Sequence, residues 1–325
     1  VVVLDLLTYA GNRASLERYD GDSRLVFHQA DIGDPGEVDR ILETHRPARV
    51  IHLAAETHVD RSIDDPAPFI HTNINGTFQL MEACRRYLRD AGPDAAGRFR
   101  FLHVSTDEVY GSVDGDVACD EGAPFAPSSP YAASKAAADH LVRAFHRTYG
   151  FPGIITRCTN NYGPYQYPEK LIPLVLRSAL EGRELPVYGD GGQLRDWIHV
   201  DDHCRGLLLA LKHGRPGSEY NLGTGNCTTN MEMVGLVCRA LESERPAAEN
   251  ESLRSRAAST YTELIRQAPD RPGHDRRYAV DSGRIRSELG WECTVPLESG
   301  LQATVRWYLA NRGWCRDWHG GRLGT

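Results

Sequence analysis

The stretch FRFLHVSTDEVYG, residues 99–111, decides the fold of this chain because it joins a predicted strand to a turn that carries two acids. Its beginning, FRFLHV, is rich in apolar residues, as a strand covered on both faces must be. Four similar runs are residues 1–7, 24–30, 48–56 and 153–158. Between the runs, apolar side chains recur at spacings of three and four, which predicts helices over residues 36–45, 72–92 and 131–150. This alternation predicts an α/β fold with a doubly wound parallel sheet.

The second half of the chain has a different texture, which predicts a second domain. After about residue 160, Pro and Gly interrupt the sequence and the helices between them are shorter. We therefore expect a Rossmann-type domain over residues 1–159 plus about 195–219, which would bind a dinucleotide. A smaller substrate-binding domain is expected over residues 160–194 and about 220–325. In a doubly wound fold, ligands bind beyond the carboxyl ends of the strands, where the two acids lie.

Composition narrows the classes of function. Of the 325 residues, 41% are hydrophobic, which is enough for a large core, and no apolar run is long enough to span a membrane. The net charge is −7 without a basic tract, which argues against nucleic acid as a main partner. The eight cysteines are scattered without CxxC spacing, so we expect neither a disulfide framework nor a metal site. No signal peptide is visible, and the expected location is cytoplasmic.

The start of the chain lacks a feature that a nucleotide-binding sheet needs. Such a sheet opens with a strand and a glycine-rich turn whose amides hold a pyrophosphate, whereas Val1 already lies inside a predicted strand. We expect the native chain to continue upstream by about one strand, one turn and one helix. The alternative is a chain that lacks the phosphate loop and binds its cofactor poorly. Asp5 ends the first strand where such folds place the acid that binds the adenosine ribose.

Tyr131 and Lys135 give a second chemical signal. Because they lie four residues apart in a predicted helix, they share one face of it. An ammonium beside a tyrosine favours the phenolate, so we expect Lys135 to lower the pKa of Tyr131 from about 10 towards neutrality. Tyr131 would then take a proton from a substrate hydroxyl. The adjacent acids Asp107 and Glu108 repel each other, which favours a functional role for both, and a solvated turn is the alternative.

Several long motifs resemble one enzyme family nearly from end to end. The motifs are LTYAGN (7–12), HLAAETHVDRS (52–62), STDEVYG (105–111), SSPYAASKAAADHLVRA (128–144), NNYGPYQYPEKLIPL (160–174), GDGGQLRDWIHVDDH (189–203) and DRPGHDRRYAVD (270–281). On these motifs the sequence resembles the extended short-chain dehydrogenase/reductases and, within them, the dTDP-glucose 4,6-dehydratases. Two positions depart from the family: Leu6 stands where lysine is usual, and Thr57 where serine is also found.

The resemblance implies an NAD-dependent lyase of the hydro-lyase type that acts on a nucleotide sugar, dTDP-glucose. Tyr131, aided by Thr106, would remove the proton of the C4 hydroxyl while a hydride passes to NAD. The resulting ketone acidifies the C5 hydrogen, which Glu108 would remove. Asp107 would protonate the C6 hydroxyl so that water leaves. Return of the hydride to C6 and of a proton to C5 would yield the 4-keto-6-deoxy sugar, and Lys135 completes the expected catalytic group.

The resemblance also implies two sets of binding residues. Those expected to bind NAD are Asp5, Thr8, Asp31, Ile32, Leu53, Ala54, Ala55, Thr72, Tyr131, Lys135 and Asn161. Those expected to bind the nucleotide sugar are Thr57, Thr106, Asn160, Lys170, Leu171, Pro186, Tyr188, Arg195, Asn230, Arg271 and His274. Arg195 and Arg271 suit the diphosphate because their donors are forked, and Pro186 and Tyr188 would border the base.

Other functions and the oligomeric state also follow from the sequence as hypotheses. An NAD-dependent 4-epimerase or decarboxylase of the same fold needs Tyr131 and Lys135 but has no use for a separate acid and base. A catalytically silent dinucleotide-binding protein is supported only by the missing phosphate loop. The helices at residues 72–92 and 131–149 carry small residues, Ala132, Ala136 and Ala137, that we expect to face outward and to allow close packing in a homodimer.

Overall fold

The computed structural model describes residues 1–256 and 258–316. The strands are β1 (Val2–Asp5), β2 (Val26–Gln29), β3 (Arg49–His52), β4 (Arg100–Thr106), β5 (Gly153–Cys158), β6 (Asn160–Tyr162), β7 (Leu185–Tyr188), β8 (Leu194–His199), β9 (Glu219–Leu222), β10 (Cys227–Thr229) and β11 (Ile265–Ala268). The helices are α1 (Pro35–His45), α2 (Val59–Asp64), α3 (Ala67–Phe69), α4 (Thr77–Ala91), α5 (Pro93–Arg98), α6 (Pro130–Tyr149), α7 (Leu171–Leu180), α8 (Val200–His213), α9 (Asn230–Glu244), α10 (Glu251–Arg254), α11 (Gly283–Leu289), α12 (Leu297–Ala310) and α13 (Arg312–Arg316).

The chain divides into two compact units. The first unit consists of Val1–Cys158, Arg205–Leu222 and Val280–Trp291. The second consists of Thr159–Cys204, Gly223–Ala279 and, within the described part of the chain, residues 292–316. These bounds differ from the expected domains. Residues 195–204 lie in the second unit and Val280–Trp291 in the first, and the boundaries near residues 159 and 220 shift by one and three residues. Val280–Trp291 joins the first unit because Cys119 of that unit forms a β-bridge with Val280, and the Cys119 carbonyl accepts a hydrogen bond from Asp281 N at 2.8 Å. The function expected of each domain stays a prediction.

Parallel strands form the sheets of the first unit. The larger sheet has the order β3-β4-β5-β9, and all of its neighbouring strands are parallel. The smaller sheet pairs β1 with β2, also in parallel. The predicted parallel sheet is therefore confirmed, and the register places the carboxyl end of β4, Thr106, opposite Cys158 of β5.

Helices α1, α4 and α6 contribute to the main core of the first unit. This core contains Val38 and Leu42 of α1, Met81 of α4, and Val142 and Phe145 of α6, all buried. The apolar faces predicted from helical spacing thus face inward. The predicted helix at 72–92 differs at its start, because Ile70–Gly76 forms a π-helical turn before α4 begins.

Two of the three small residues expected on the outer face of α6 lie inside. Ala132 is 0% exposed and Ala136 is 6% exposed, so the expectation that they face outward is wrong. Ala136 packs in a separate cluster with Val109, Tyr110 and Val280. Both sides of the helix are covered at this point, which the helical repeat of apolar residues does not reveal.

The second unit has its own core, built mainly on helices. The buried side chains include Leu176 of α7, Val234 of α9, and Leu301 and Val305 of α12, which pack around Tyr162. One sheet has the order β10-β8-β6, with β8 antiparallel to β10 and parallel to β6. A second sheet pairs β7 with β11 in parallel. Across the described part of the chain, no helix combines the length and the apolar character that crossing a bilayer requires.

Candidate active site

The two acids of the opening motif lie at the carboxyl end of β4, in a short 3₁₀ turn over Asp107–Tyr110. Thr106 caps this turn, since its hydroxyl accepts a hydrogen bond from Glu108 N at 3.3 Å. Gly111 ends the turn with φ +74°, and a Cβ atom there would overlap the carbonyl oxygen of Ala126. Asp107 is only 3% exposed and Glu108 is half-buried. The pair therefore does not lie in a solvated turn.

Thr106 connects the acids to the tyrosine. Its hydroxyl donates a hydrogen bond to Asp107 Oδ1 at 3.3 Å and is also hydrogen-bonded to the phenol of Tyr131. Tyr131 is 8% exposed near the start of α6, whose N-terminus is capped by the Ser129 side chain. Glu108 lies close enough that its charge raises the pKa of Tyr131. The structure thus brings together four residues that the sequence predicts as catalytic.

The pKa of Tyr131 corrects one expectation. The spacing in the helix predicts that Lys135 lowers this pKa, but it is raised well above the ordinary value for tyrosine. Burial is the main cause, and the negative charge of Glu108 comes next, because both disfavour the phenolate. The ammonium of Lys135 donates a hydrogen bond to Val104 O at 2.8 Å rather than to the phenol of Tyr131.

Lys135 is itself strongly affected by its surroundings. It is 4% exposed, and burial lowers its pKa to about 8, while the charge of Asp139 and the thiol of Cys158 act in the opposite direction. A lysine whose pKa lies near the physiological range holds its proton only while its neighbours favour the charged form. The identity of these neighbours therefore matters for the chemistry of the site.

Asn73 is a residue of the site that sequence reasoning missed. It is 1% exposed in the π-helical turn before α4. Its side-chain amide donates to Glu56 O at 3.0 Å and to Ser134 Oγ at 2.8 Å, and its Oδ1 accepts from Glu56 N at 2.9 Å. Ser134 in turn donates to Tyr131 O at 2.7 Å. Asn73 thus fastens the loop after β3 to the helix that carries Tyr131. A π-helical turn has no simple sequence signature, although such turns are common at functional sites.

The carboxyl ends of β1, β2 and β3 present groups that fit a dinucleotide. Asp5, which ends β1, is exposed and accepts a hydrogen bond from Leu7 N at 2.7 Å through Oδ1. Asp31 follows β2 and accepts from Gly33 N at 2.7 Å. Leu53 follows β3 and is 59% exposed. Carboxylates suit ribose hydroxyls, and exposed apolar surface suits the flat rings of a cofactor.

The remaining residues expected to bind the cofactor lie at several places. Ile32 is 7% exposed, with its side chain directed at Gly76, so any contact of this residue with a ligand would be through its backbone. Ala54 and Ala55 are half-buried in the loop after β3, Thr8 is exposed and Thr72 lies in the π-helical turn. Thr57, which is expected to bind the substrate, is half-buried in the same loop. Asn161 belongs to the second unit, in β6, and its side-chain Oδ1 accepts a hydrogen bond from His203 Nδ1 at 2.9 Å.

In the second unit, four of the residues expected to bind substrate lie near one another. The alternating burial of β7 places Pro186 and Tyr188 on its exposed face. The rings of Tyr188 and His274 meet edge-on with centroids 6.3 Å apart. His274 Nδ1 donates to Asp270 Oδ1 at 2.6 Å. The charge of Arg195 reaches this histidine and contributes to lowering its pKa, for which burial is the main cause.

The guanidinium of Arg195 is held rigidly. It is 4% exposed, lies 4.1 Å from the ring centroid of Tyr278, and donates to the carbonyl oxygens of Leu194 and Asp275 at 2.8 Å each. The charge of Arg271 also lowers the pKa of His274. The positive charges of Arg195 and Arg271 therefore both act on His274, whose ring meets that of Tyr188.

The other expected substrate residues lie on different elements of the second unit. Asn160 begins β6, opposite Trp197 of β8. Lys170 is the residue before α7, and Leu171 begins that helix. Asn230 begins α9, and its backbone N–H donates to Gln193 O at 3.0 Å. Their joint binding of one substrate stays a prediction.

Comparison with known proteins identifies the family. Residues 1–304 match the family model described as GDP-mannose 4,6 dehydratase. The chain belongs to this family of nucleotide-sugar dehydratases and, within it, to the dTDP-glucose 4,6-dehydratases, as the motifs indicate. It is 50% identical to the dTDP-glucose 4,6-dehydratase of Salmonella typhimurium, over 98% of this chain and 88% of that protein. It is 51% identical to the enzyme of the same name from Neisseria meningitidis, over 100% and 92%.

Solved structures agree with this assignment. DesIV, a dTDP-glucose 4,6-dehydratase from Streptomyces venezuelae crystallised with NAD bound, superposes with a TM-score of 0.85 at 47% identity, over 98% of this chain and 90% of that one. A UDP-glucose 4-epimerase from Thermotoga maritima superposes with a TM-score of 0.80 at 29% identity, over 96% and 91%. The Rossmann-type fold is therefore confirmed. The fold is common to dehydratases and epimerases, so the distinction between them depends on the residues of the site.

Proposed function

We propose that this protein catalyses the NAD-dependent dehydration of dTDP-glucose to the 4-keto-6-deoxy sugar. The observation that carries the proposal is the buried arrangement at the end of β4, where Thr106 is hydrogen-bonded to both Asp107 and Tyr131 while Glu108 lies beside them. An epimerase needs only the tyrosine, the lysine and the threonine. A separate acid and base next to the tyrosine suit an elimination between neighbouring carbons.

The first step removes the proton of the C4 hydroxyl. Tyr131 is the base. The hydroxyl of Thr106, which is hydrogen-bonded to Tyr131, would also position the C4 oxygen of the sugar. Because burial and Glu108 raise the pKa of Tyr131, the phenolate needs a positive charge nearby, which the Lys135 ammonium supplies from the next turn of the helix. When bound, NAD would supply the acceptor for the C4 hydride and, after loss of water, the hydride for C6, while a proton returns to C5.

The second step removes water from C5 and C6. The C4 ketone makes the C5 hydrogen acidic, and Glu108 removes it as a carboxylate. The C6 hydroxyl leaves only when protonated, and Asp107 provides that proton in its neutral form. The two neighbouring acids thus act in opposite protonation states. The burial of Asp107, at 3% exposure, supports this division, since a buried carboxyl group is easier to keep neutral than an exposed one.

We propose that the second unit binds the nucleotide. Arg195 and Arg271 would contact the diphosphate, Pro186 and Tyr188 would border the base, and His274, whose ring meets that of Tyr188, would contribute to the same site. The rigid hold on Arg195 by two backbone carbonyls supports a fixed anion site, because less side-chain entropy is lost on binding. Asn160, Lys170, Leu171 and Asn230 would complete the contacts made by this unit, and Thr57 of the first unit would also contact the substrate.

We propose that the cofactor binds at the carboxyl ends of β1, β2 and β3. Asp5 would accept hydrogen bonds from the adenosine ribose, Asp31 and Ile32 would border the adenine, and the exposed Leu53 would pack on the cofactor. We also propose a cytoplasmic location, which the absence of disulfides among the described cysteines supports.

We propose further that the protein is a homodimer that uses α4 and α6. With Ala132 and Ala136 buried, the support now comes from exposed aromatic residues: Phe78 of α4 is 39% exposed and Tyr149 of α6 is 54% exposed. Light scattering at micromolar concentration tests this, with Phe78→Arg as the variant expected to yield monomers. A monomer in the parent protein would contradict the proposal.

The function is tested by supplying the protein with NAD and dTDP-glucose and following the sugar nucleotide by mass spectrometry. We expect a product lighter by one water, without net accumulation of NADH. An isomer of unchanged mass would indicate an epimerase, and loss of carbon dioxide from the corresponding uronic acid would indicate a decarboxylase. Unchanged substrate would support the silent dinucleotide-binding protein. Tyr131→Phe serves as the variant expected to lose the reaction from its first step.

A further inference from the structure

A column of titratable side chains continues along α6 beyond the expected catalytic pair. Tyr131, Lys135 and Asp139 follow one another at intervals of four residues, so they share one face of the helix. All three are buried, with exposures of 8%, 4% and 0%. The chemistry proposed above uses the first two members and leaves Asp139 without a role. A fully buried carboxylate is costly unless it is paired, so its presence calls for an explanation.

Asp139 is held by groups from the neighbouring strands. Its Oδ2 accepts a hydrogen bond from Arg157 Nε of β5 at 2.7 Å, and its Oδ1 lies 3.4 Å from His103 Nε2 of β4. Arg157 also donates to Glu219 Oε2 of β9 at 2.6 Å. The guanidinium of Arg157 is 0% exposed, and its positive charge keeps Asp139 ionised. The pKa of Asp139 accordingly lies below its ordinary value despite burial.

The groups that face Lys135 come from four elements. Along α6 they are Tyr131 and Asp139; β3 contributes His52, and β4 contributes His103. From β5, Cys158 acts on the ammonium. Burial lowers the pKa of His103 to about 4 and that of His52 well below its ordinary value, so both imidazoles are neutral at neutral pH. Asp139 is therefore the carboxylate that opposes the desolvation of Lys135.

We propose that Asp139 is a positioning residue of the dehydration site, whose carboxylate, fixed by Arg157, keeps the buried amine of Lys135 protonated one helical turn from Tyr131. This role rests on the function proposed above. Lys135 can favour the phenolate of Tyr131 only while it carries its positive charge. Asp139 touches neither substrate nor cofactor in this role and acts through Lys135.

The sign of the effect follows from the charges. Burial favours the neutral amine, and the Asp139 carboxylate favours the ammonium. Asp139→Asn removes the favourable charge and leaves the burial, so the amine loses its proton at a lower pH. Activity that requires the ammonium then declines at a lower pH on the alkaline side of the profile.

The test uses two measurements on the parent, on Asp139→Asn and on Glu219→Gln. The first is the titration of the Lys135 side chain by NMR with ¹³C-lysine, which is practical because the chain contains only three lysines, Lys135, Lys170 and Lys212. The second is the pH profile of kcat for dehydration. Glu219→Gln is the matched control, since it also removes a carboxylate partner of Arg157, but one that does not act on Lys135.

We expect both the NMR midpoint of Lys135 and the alkaline limb of kcat to move down by about one pH unit in Asp139→Asn, and to stay in place in Glu219→Gln. Unchanged midpoints in Asp139→Asn, or equal shifts in both variants, would overturn the proposal. If Asp139→Asn does not fold, the double variant Asp139→Asn/Arg157→Gln removes the buried pair together and carries the same expectation. A parent protein without dehydratase activity would refute the proposed function, while the NMR midpoints would still decide whether Asp139 controls Lys135.

Discussion

The Thr106 hydroxyl donates a hydrogen bond to Oδ1 of Asp107 at 3.3 Å. Thr106, the last residue of β4, is also hydrogen-bonded to Tyr131. It therefore links the proposed acid, Asp107, to the proposed base of the first step, Tyr131. One short side chain at a strand end therefore coordinates both halves of the proposed reaction.

Replacing Thr106 by Val should impair catalysis more than folding. The loss of the hydroxyl leaves the phenol of Tyr131 and the amide of Glu108 without this partner, and we expect kcat to fall on the order of 10- to 100-fold. The matched control is Thr156→Val on the adjacent strand, where a buried threonine bonds to His103 O at 3.4 Å. Steady-state kinetics and thermal melting of both variants check this. Equal losses of kcat in the two would contradict the role of Thr106.

The two acids should affect different steps. Asp107→Asn should retain oxidation at C4 and lose elimination, so that NADH absorbance accumulates while kcat for dehydration falls by about 100-fold or more. Glu108→Gln should lose exchange of the C5 hydrogen with deuterated solvent. Glu121→Gln is the control, because Glu121 is another buried acid of the same unit, 6% exposed and bonded to Asn221 N at 2.9 Å. Identical behaviour of Asp107→Asn and Glu108→Gln in both assays would argue against separate roles.

The turn that carries the acids should be sensitive to substitution of its last residue. Gly111→Ala requires φ +74° from a residue with a side chain and forces an overlap with Ala126 O. We expect the free energy of unfolding to fall by about 2 kcal/mol or more. At Gly92, φ is +84° and a Cβ meets open space, so Gly92→Ala should cost about 1 kcal/mol. Urea denaturation compares the two, and equal costs would mean that the contact with Ala126 adds no strain.

Stability should depend on pH through buried histidines. Burial lowers the pKa of His103 and that of His203 to about 4, whereas an unfolded histidine titrates near 6.5. Between these values the unfolded chain binds protons that the folded chain does not, so stability falls as pH falls through this window. Acidification from pH 7 to pH 5 should therefore lower the free energy of unfolding by about 2 kcal/mol for each of these histidines.

The check on this pH dependence is urea denaturation at both pH values for the parent and for His203→Gln. The variant should lose a smaller part of its stability on acidification, while the exposed His140→Gln serves as the control and should follow the parent. The same pH dependence in the parent and His203→Gln would show that His203 is not responsible.

Much of the fold was predictable because the strands of a covered parallel sheet are short apolar runs and the helices between them have a clear period. Helix α6 begins and ends within one residue of its predicted bounds, and Gly150 caps it at φ +65°. The catalytic candidates were also predictable, since Thr106, Asp107 and Glu108 adjoin in sequence and Tyr131 and Lys135 lie one helical turn apart.

The electrostatic state of the site was not predictable in the same way. Spacing alone predicts that Lys135 lowers the pKa of Tyr131, but burial and Glu108 raise it. Burial depends on which elements cover a residue from outside its own helix. The same cause explains why Ala132 and Ala136, which the helix pattern places outward, are buried.

The amino-acid sequence by itself determined the order of strands and helices, the acids at the end of β4 and the family to which the chain belongs, because these depend on local periodicity and on contiguous motifs. Only the tertiary structure decided which charges meet Lys135, how Asn73 joins two distant segments and that Asp139 is buried on Arg157. These features arise from contacts between residues far apart in the chain, and the desolvation that sets their energies exists only once the elements have packed.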